Sequence, residues 1–289
     1  MSEYIIQTNN LTKQYGEQKS VSAMNLHVKK GRIYGLLGRN GAGKTTTMKM
    51  LLGLTKPTSG NIKIFGKSMK DSPEEIKNKI GFVYDSLNFY PHVTIRDFKN
   101  ISKYFYKDFN KAKFDEYLTK FDINEKLKIK NLSKGQSAKL MLANALSHNA
   151  KLLILDEPTA GLDPVVRKEV LMYLQEFIEE EDTSVLICTH NTEELDRIAD
   201  YITFINNGEV VFSKDKESLR EEYRVIRGSK EDIQVLDKII GINYQKYYSE
   251  ALIKIEDEDD YKRMIQNIAQ ENIKIPNIED FMYYYTMIL

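Results

Sequence analysis

The sequence lacks the features that would direct it out of the cytosol or into a bilayer. Its 289 residues include a single cysteine, Cys188, so no intramolecular disulfide can form. The first residues carry neither the basic nor the apolar segment of a secretory signal. The most apolar runs are about four residues long, whereas a membrane-spanning helix needs roughly 18. We therefore expect a cytosolic chain, and any membrane that it serves must be crossed by another protein.

The chain also has few glycines and prolines, and its formal net charge is zero. The chain has 15 glycines and 6 prolines against 42% hydrophobic residues, which excludes collagen-like and low-complexity proteins. The 42 lysines and arginines balance the 42 aspartates and glutamates, so no overall positive field attracts nucleic acid. The composition is that of an ordinary globular protein, and the length predicts two domains or one large domain with an appendage.

The hydrophobic pattern predicts an α/β protein with a mainly parallel sheet, because strand-like apolar runs alternate with helix-like segments. Strands are expected at 4–11, 21–28, 32–37, 80–84, 151–155 and 184–189, and helices at 45–54 and 164–180. Between residues 94 and 121, apolar side chains recur at steps of three or four. This spacing predicts a helical insert over about 86–150.

The end of the chain has a different pattern. Beyond the turn signal Asn207-Gly208, the sequence predicts a strand at 223–227, a helix at 230–239, a hairpin at 243–255 and a helix at 259–271. We therefore divide the chain into a first domain over 1–216 and a small α/β accessory domain over 217–289. The apolar residues from Tyr283 to Leu289 are expected to pack on a surface, since they would be a liability if exposed.

One motif carries strong chemical information. Residues 38–45, Gly-Arg-Asn-Gly-Ala-Gly-Lys-Thr, match G-x-x-x-x-G-K-[ST] and lie between a predicted strand and a predicted helix. The glycines let successive N–H groups point at phosphate oxygens, and the helix N-terminus adds partial positive charge. Lys44 would neutralise the β- and γ-phosphates, and the Thr45 hydroxyl suits Mg²⁺. The motif predicts a nucleotide-binding loop.

Two adjacent acids, Asp156 and Glu157, follow a predicted strand, at the sheet edge where open α/β folds place their chemistry. Because side chains alternate along a strand, we expect Asp156 to reach Mg²⁺ beside Thr45 and Glu157 to orient or deprotonate a water. His190 follows a strand at the same edge and is expected to contact the γ-phosphate or that water. Its alternative role is to cap the helix beginning near Thr192. The other histidines are expected to be structural: His27, His92 and His148.

Together these motifs resemble the ATP-binding subunits of bacterial ABC transporters, of the exporter type. The resemblance covers residues 3 to about 212 and includes a signature at 132–136, Leu-Ser-Lys-Gly-Gln, and a D-loop at 161–163, Gly-Leu-Asp. It implies a P-loop NTPase core of the RecA-like type. It also implies that the ring of Tyr15 stacks on adenine. The other implied nucleotide contacts come from the phosphate loop and the start of the helix after it: Asn40, Gly41, Ala42, Gly43, Lys44, Thr45 and Thr46.

The resemblance implies a mechanism and partners as well. Two subunits would dimerise head to tail, so that ATP on one phosphate loop is closed in trans by Ser133, Lys134, Gly135, Gln136 and Asp163 of the other. Hydrolysis, with Glu157 and His190 as catalytic residues, would open the dimer and drive a separate transmembrane permease. The expected cofactors are ATP and Mg²⁺. The chain would lie at the inner face of the cell membrane, with no nucleic-acid partner.

Two residues depart from the pattern of this family. Asp85 stands where the family usually has Gln, and its anionic side chain can still enter the Mg²⁺ shell, so it joins Thr45 and Asp156 as an expected metal ligand. Lys134 replaces the first signature glycine and either adds positive charge near the trans phosphate or faces solvent. Aromatic residues near Asp85 suit an anchor pocket for a permease helix, although packing between subdomains explains them equally well: Phe82, Tyr84, Phe89 and Tyr90.

Two other functions stay open at this point. An ABC-type ATPase acting on DNA or ribosomes usually has a long coiled coil or two fused ATPase units, and the sequence shows neither a second phosphate loop nor a sustained heptad run. A phosphotransferase would need an acceptor site, and the signature motif argues against it. The transported substrate cannot be read from this chain, because in such transporters the membrane subunit forms the passage.

Overall fold

The computed structural model describes residues 3–85, 87, 89–180, 182–266 and 268–288, and they divide into two compact units. The first unit contains the residues up to His190 together with Ile205–Val211. The second contains Asn191–Phe204 together with the residues from Phe212 onward. The second unit therefore includes the predicted accessory segment and also residues before it. The proposed domain boundary at residue 216 stays a prediction, and Leu289 lies outside the described residues.

The first unit contains two sheets. Its strands, in chain order, are β1 Tyr4–Tyr15, β2 Gln18–Met24, β3 His27–Lys29, β4 Ile33–Leu37, β5 Ser59–Ile64, β6 Lys67–Ser68, β7 Ile80–Val83, β8 Leu152–Asp156 and β9 Ser184–Thr189. Strands β2, β1, β5 and β6 form an antiparallel sheet, with β3 also paired to β1. The predicted strand at 21–28 is wrong as a single element, because β2 ends at Met24 and β3 begins only at His27.

The second sheet of this unit is parallel and carries the site. Its strands lie in the order β4, β9, β8, β7, and every residue of β4, β8 and β9 is buried. Leu37 pairs with Thr189, and Asp156 pairs with Cys188, so three strands end at one edge. The predicted parallel sheet is confirmed, and Asp156 and Thr189 lie at its carboxyl edge.

Helices connect and cover these strands. They are α1 Lys44–Leu51, α2 Pro73–Lys77, α3 Ile95–Phe105, α4 Lys111–Lys120, α5 Lys134–Leu146 and α6 Pro164–Ile178. Thr94 and Asn110 accept hydrogen bonds from backbone N–H groups of α3 and α4, which fixes where each helix begins. Phe98 of α3 and Phe114 of α4 face each other with ring centroids 6.5 Å apart. The helices predicted between residues 94 and 121 are confirmed.

The chain then enters the second unit. Its elements are α7 Thr192–Ile198, β10 Tyr201–Asn206, β11 Glu209–Asp215, α8 Lys216–Glu222, β12 Tyr223–Gly228, α9 Lys230–Gln234, β13 Ile239–Tyr244, β14 Ser249–Lys254, α10 Glu258–Ile265, β15 Ile273–Lys274 and α11 Ile278–Ile288. Strands β10 and β11 each divide between the two units, and the Asn207-Gly208 turn joins them.

The order from β12 to β15 is β-α-β-β-α-β. Its antiparallel sheet has the strand order β13, β14, β12, β15, which is the ferredoxin-like arrangement. Helices α9 and α10 contribute to a core with Ile226, Ile233 and Ile253. Tyr284 of α11 is buried, and a Cβ at Gly241 would lie 2.7 Å from the Tyr284 carbonyl oxygen. Glycine on β13 therefore lets α11 approach closely.

Two predicted elements of this unit are wrong in extent. The helix expected at 230–239 ends at Gln234, because Lys238 takes a left-handed backbone (φ 56°) and Ile239 begins β13. The helix expected at 259–271 ends at Ile265. Helix α11 lies where the sequence analysis predicts no helix, only apolar residues that pack on a surface.

Candidate nucleotide-binding and catalytic site

The phosphate loop joins the end of β4 to the start of α1. Gly43 has a left-handed backbone (φ 102°), and a Cβ there would lie 2.5 Å from the Ser20 carbonyl oxygen, so the position requires glycine. Lys44 begins α1 and is buried. Its Nζ donates to the carbonyl oxygens of Gly38 at 2.6 Å and Arg39 at 3.3 Å. The ammonium therefore lies inside the turn that is predicted to hold the phosphates.

The other predicted loop residues lie along the same turn. Asn40 and Gly41 are exposed, and Ala42 is buried. The Ala42 carbonyl oxygen accepts from the Gly208 N–H at 3.0 Å. The Thr46 hydroxyl lies 2.8 Å from a serine hydroxyl on β2. The loop is thus supported from two sides, by β2 and by the turn between β10 and β11, a support that the loop motif alone does not reveal.

Thr45 and Asp156 form the centre of the predicted metal site. The Thr45 hydroxyl donates to Oδ2 of Asp156 at 3.0 Å. Asp156 is 6% exposed, and its Oδ1 has no hydrogen-bond partner among the described residues. Burial, with the charges of Glu157 and Asp85, raises the pKa of the Asp156 carboxyl. A buried carboxylate oxygen without a partner, beside a hydroxyl, is a donor set that fits a hard cation such as Mg²⁺.

Asp85 lines one cavity together with Thr45 and Asp156. This cavity of about 830 Å³ is lined by Asp85, Thr45, Asp156 and Glu157 among others. Asp85 is exposed. Within the described parts of the chain, no group of three or more His, Cys, Asp or Glu side chains could hold a metal ion. A divalent cation at Thr45 and Asp156 would therefore need further oxygen ligands, of the kind that nucleotide phosphates supply.

Glu157 is oriented by the backbone rather than by strand alternation. Strand β8 ends at Asp156, and Glu157 has a left-handed conformation (φ 48°), which is costly for a residue with a side chain. The expectation that alternation along the strand separates the two acids is therefore wrong. The Glu157 N–H donates to the Cys188 carbonyl oxygen at 2.8 Å, which anchors this turn to β9.

The carboxylate of Glu157 is held by the residues that end β9. Its Oε1 accepts from the His190 N–H at 3.1 Å and lies 2.8 Å from Nδ1 of the same histidine. Its Oε2 accepts from the Thr189 hydroxyl at 3.1 Å. Asn191 caps α7, so the alternative of His190 as the helix cap is wrong. Thr189 was missed in the sequence, where it is one residue of an apolar strand.

The signature residues lie at the start of α5. The Ser133 hydroxyl accepts from the Gln136 N–H, and the Gln136 side chain accepts from the Ser133 N–H, which forms a capping box. The five residues predicted to act in trans line a second cavity of about 360 Å³: Ser133, Lys134, Gly135, Gln136 and Asp163. The Asp163 carboxylate accepts from two backbone N–H groups of α6. The structure therefore brings the signature and the D-loop together.

The two departures from the family pattern lie near each other. Asp85 and Lys134 both line a small cavity of about 170 Å³, together with residues that follow Glu157 in the chain. Nζ of Lys134 would lie 3.1 Å from a Cβ on Gly161, so the lysine extends over the D-loop. The anionic Asp85 and the cationic Lys134 thus line the same cavity.

Tyr15 ends β1, at a distance along the chain from the phosphate loop. Its side chain is 52% exposed, and Nζ of Lys13 lies 4.9 Å from its ring centroid. The ring therefore remains accessible to a planar ligand. Its contact with adenine stays a prediction.

Three of the four predicted docking aromatics belong to the 830 Å³ cavity. Phe82, Tyr84 and Phe89 line this cavity, and Phe82 meets Tyr84 edge to face at 5.2 Å. Phe89 packs on Phe98 of α3 at 4.9 Å. Tyr90 is 73% exposed. Acidic residues and aromatic residues thus line one groove.

His148 has a structural environment, as expected. It is buried, with one ring nitrogen 3.0 Å from the carbonyl oxygen of Asn144 and the other 3.0 Å from that of Ile80. Its ring stacks on Tyr106 at 3.9 Å. His27 and His92 are exposed. Among the described residues, no helix is long and apolar enough to cross a membrane.

A phosphate loop on a parallel sheet, with a threonine–aspartate pair and a glutamate–histidine pair at one edge, defines a P-loop nucleoside triphosphatase. The family model described as ABC transporter matches residues 21–160. The chain is 33% identical over 287 residues to the bacitracin transport ATP-binding protein BcrA of Bacillus licheniformis, covering 96% of this chain and 94% of that protein. It is 40% identical to BcrA of Enterococcus faecalis over 211 residues, covering 72% and 68%.

Solved structures agree with this assignment. An ATP-binding subunit of an ABC transporter superposes with a TM-score of 0.69 at 26% identity, covering 75% of this chain and 92% of that one. A dimeric post-hydrolysis state of the ATP-binding cassette MJ0796, bound to ADP and Pi, gives 0.66 at 25% identity, covering 73% and 98%. The chain belongs to the ATP-binding subunits of bacterial ABC transporters. It binds ATP and is an ATPase.

Proposed function

We propose that this chain hydrolyses Mg-ATP at the edge of its parallel sheet. Lys44 and the backbone of the phosphate loop hold the β- and γ-phosphates. Thr45 and Asp156 would hold Mg²⁺, together with Asp85 of the same cavity, and the bound ion would neutralise charge on the phosphate oxygens. The observation that carries the proposal is the contact set of Glu157, which meets His190 at 2.8 Å and Lys44 at 3.8 Å.

Glu157 acts on the attacking water and His190 on the γ-phosphate. Glu157 takes a proton from water as the water oxygen forms a bond to the γ-phosphorus. The bond between this phosphorus and the bridging oxygen breaks, and its electron pair leaves with ADP. His190 is 55% exposed at its side chain, which leaves its ring accessible to a phosphate oxygen.

Two copies form the complete site. The signature residues and Asp163 line a cavity of their own, whose lining includes the N-terminus of α5. A helix N-terminus attracts anions, and α5 has no acidic residue in its first turn. In a head-to-tail dimer, this surface would close over the γ-phosphate bound to the phosphate loop of the partner. The dimeric relative MJ0796 supports such an assembly.

Mixed dimers test this arrangement directly. Lys44→Ala should inactivate the phosphate loop, and Ser133→Arg should inactivate the signature, so each variant alone is expected to be inactive. A mixture should recover activity, because one site then combines an intact phosphate loop with an intact signature. Gln18→Arg, on an exposed residue of β2, serves as the control for adding an arginine. A mixture with no recovered activity would show that the signature acts within its own chain or not at all.

The groove beside the site is the proposed docking surface for a transmembrane permease. Phe82, Tyr84 and Phe89 supply apolar surface within reach of Asp85, so an occupant could influence the catalytic edge. The relatives named for bacitracin transport, and a Nod factor export ATP-binding protein of Burkholderia orbicola at 36% identity, support an export role. The chain would then lie on the cytoplasmic face of the membrane.

Reconstitution tests this docking. The chain is purified with a candidate permease from its own organism, and ATPase activity is measured in nanodiscs. We expect the permease to stimulate hydrolysis, and Phe82→Lys to abolish the stimulation while leaving basal activity unchanged. Phe105→Lys, at another exposed aromatic position lining the groove, maps how far the contact extends. Equal stimulation of the parent and both variants would place the permease elsewhere.

A further inference from the structure

Three consecutive residues, the last two of β9 and the one that follows it, contact Glu157. The backbone carbonyl oxygen of Cys188 accepts from the Glu157 N–H at 2.8 Å. The Thr189 hydroxyl donates to Oε2 of Glu157 at 3.1 Å, and the His190 N–H donates to Oε1 at 3.1 Å. Thr189 is 1% exposed and Glu157 is 18% exposed at its side chain. The carboxylate is thus held in one orientation by the buried end of β9 and by His190, which follows it.

The two oxygens of this carboxylate differ in what they can still accept. An ionised carboxylate has about two acceptor positions on each oxygen. An ionised carboxylate oxygen can only accept, so the 2.8 Å contact assigns the imidazole proton to Nδ1. Oε1 then takes this proton and the His190 N–H, and Lys44 Nζ lies 3.8 Å away. Oε2 takes the Thr189 hydroxyl. Oε1 therefore has no acceptor position left for a water, while Oε2 keeps one.

We propose that Thr189 is a positioning residue of the ATPase reaction. Its hydroxyl holds Oε2 of Glu157 so that the remaining lone pair of this oxygen receives the proton of the attacking water. Oε1, which contacts His190, then lies toward the γ-phosphate. Oε2, which Thr189 holds, accepts the proton of the water. This inference rests on the proposed role of Glu157 as the base.

The alternative is that the Thr189 hydroxyl serves only the fold. The two roles separate because valine keeps the β-branched shape of threonine and suits a buried strand, while it removes the hydroxyl. Serine keeps the hydroxyl and removes the methyl group. Thr183, which immediately precedes β9, offers a matched control: it is also fully buried, and its hydroxyl donates to the carbonyl oxygens of Phe177 and Glu180.

The experiment measures kcat for ATP hydrolysis and the Kd for Mg-ATP on the full chain. Thr189→Val should lower kcat about tenfold and leave the Kd within about twofold, since the lost hydrogen bond orients the base but does not touch the nucleotide. Thr189→Ser should recover most of the activity. Thr183→Val should lower the melting temperature without a comparable fall in kcat. In a Glu157→Gln background, Thr189→Val should cause no further loss in single-turnover rate.

Three results would overturn the inference: parental kcat in Thr189→Val, equal loss in Thr189→Ser and Thr189→Val, or a Kd that rises as far as kcat falls. The failure of the underlying function is distinguishable. If Glu157→Gln hydrolysed ATP at the parental rate, the proposed base would be wrong whatever Thr189 does. If Glu157→Gln were inactive and Thr189→Val fully active, only the positioning role would fail.

Discussion

Nζ of Lys44 lies 3.8 Å from Oε1 of Glu157, and both side chains are largely shielded from water, at 7% and 18% exposure. Shielding strengthens the attraction between their charges. The cation proposed to hold the γ-phosphate thus lies beside the acid proposed to activate water. Because one group binds and the other reacts, their replacement should have different consequences.

Lys44→Ala should weaken ATP binding at least about tenfold, since no other cation of the phosphate loop lies where its ammonium does. Isothermal titration calorimetry with Mg-ATP measures the change. Lys63→Ala is the control, because Lys63 is an exposed residue of β5 that does not line the 830 Å³ cavity, and this variant should bind ATP as the parent does. Undiminished affinity in Lys44→Ala would contradict the site assignment.

Glu157→Gln should keep ATP binding and lose hydrolysis by about 100-fold or more, because the amide keeps the shape and removes the base. The ATP-bound dimer should then accumulate in size-exclusion chromatography with Mg-ATP. Glu176→Gln, at an exposed position on α6, is the control for the chemical change. A monomeric Glu157→Gln protein, or one with parental turnover, would argue against the water-activating role.

Asp85 and Lys134 should be energetically coupled, because opposite charges face one small cavity. Asp85→Gln and Lys134→Gly each restore the residue usual in the family. We expect the effects of the two replacements on kcat to be non-additive by about fivefold, equivalent to about 1 kcal/mol, with the double variant closer to the parent than the single variants suggest. Steady-state hydrolysis of the four proteins gives the coupling, and strict additivity would show that the departures are independent.

Deleting residues 217–289 should leave ATP affinity largely unchanged and lower solubility. In the second unit, Tyr285 packs on Phe204 and Phe212 with ring centroids 6.4 Å and 5.2 Å apart, so the deletion uncovers both phenylalanines. Tyr285→Ala should destabilise the chain, whereas Tyr283→Ala, at a 41% exposed side chain, should have little effect. If the deletion abolished ATP binding as Lys44→Ala is expected to do, the segment would belong to the catalytic core.

His148 should make stability depend on pH. Burial lowers the pKa of its imidazole below the usual 6.5. As pH falls through 6.5, the unfolded chain binds a proton that the folded chain resists, so stability present above this pH is lost on acidification. Urea unfolding from about pH 7.5 to about pH 5.5 should show a steeper loss in the parent than in His148→Gln. Identical slopes would show that His148 does not contribute.

The sequence by itself determined the parts of the site that are contiguous. The phosphate loop is one uninterrupted motif, and its strand and helix follow from local hydrophobic spacing. Parallel strands end at one edge, so Thr45, Asp156, Glu157 and His190 could be placed together without coordinates. The central relationships of the first unit were therefore accessible to pattern and topology.

Only the tertiary structure decided how these side chains are held. Glu157 has a left-handed backbone, and its carboxylate accepts a hydrogen bond from Thr189. These two residues are 32 positions apart, and no local pattern encodes such a contact. The approach of α11 to Gly241 and the shared cavity of Asp85 and Lys134 likewise depend on distant segments meeting. Local spacing determines which elements form, because their hydrogen bonds are local. Packing between those elements determines which lone pair of Glu157 stays open to a water.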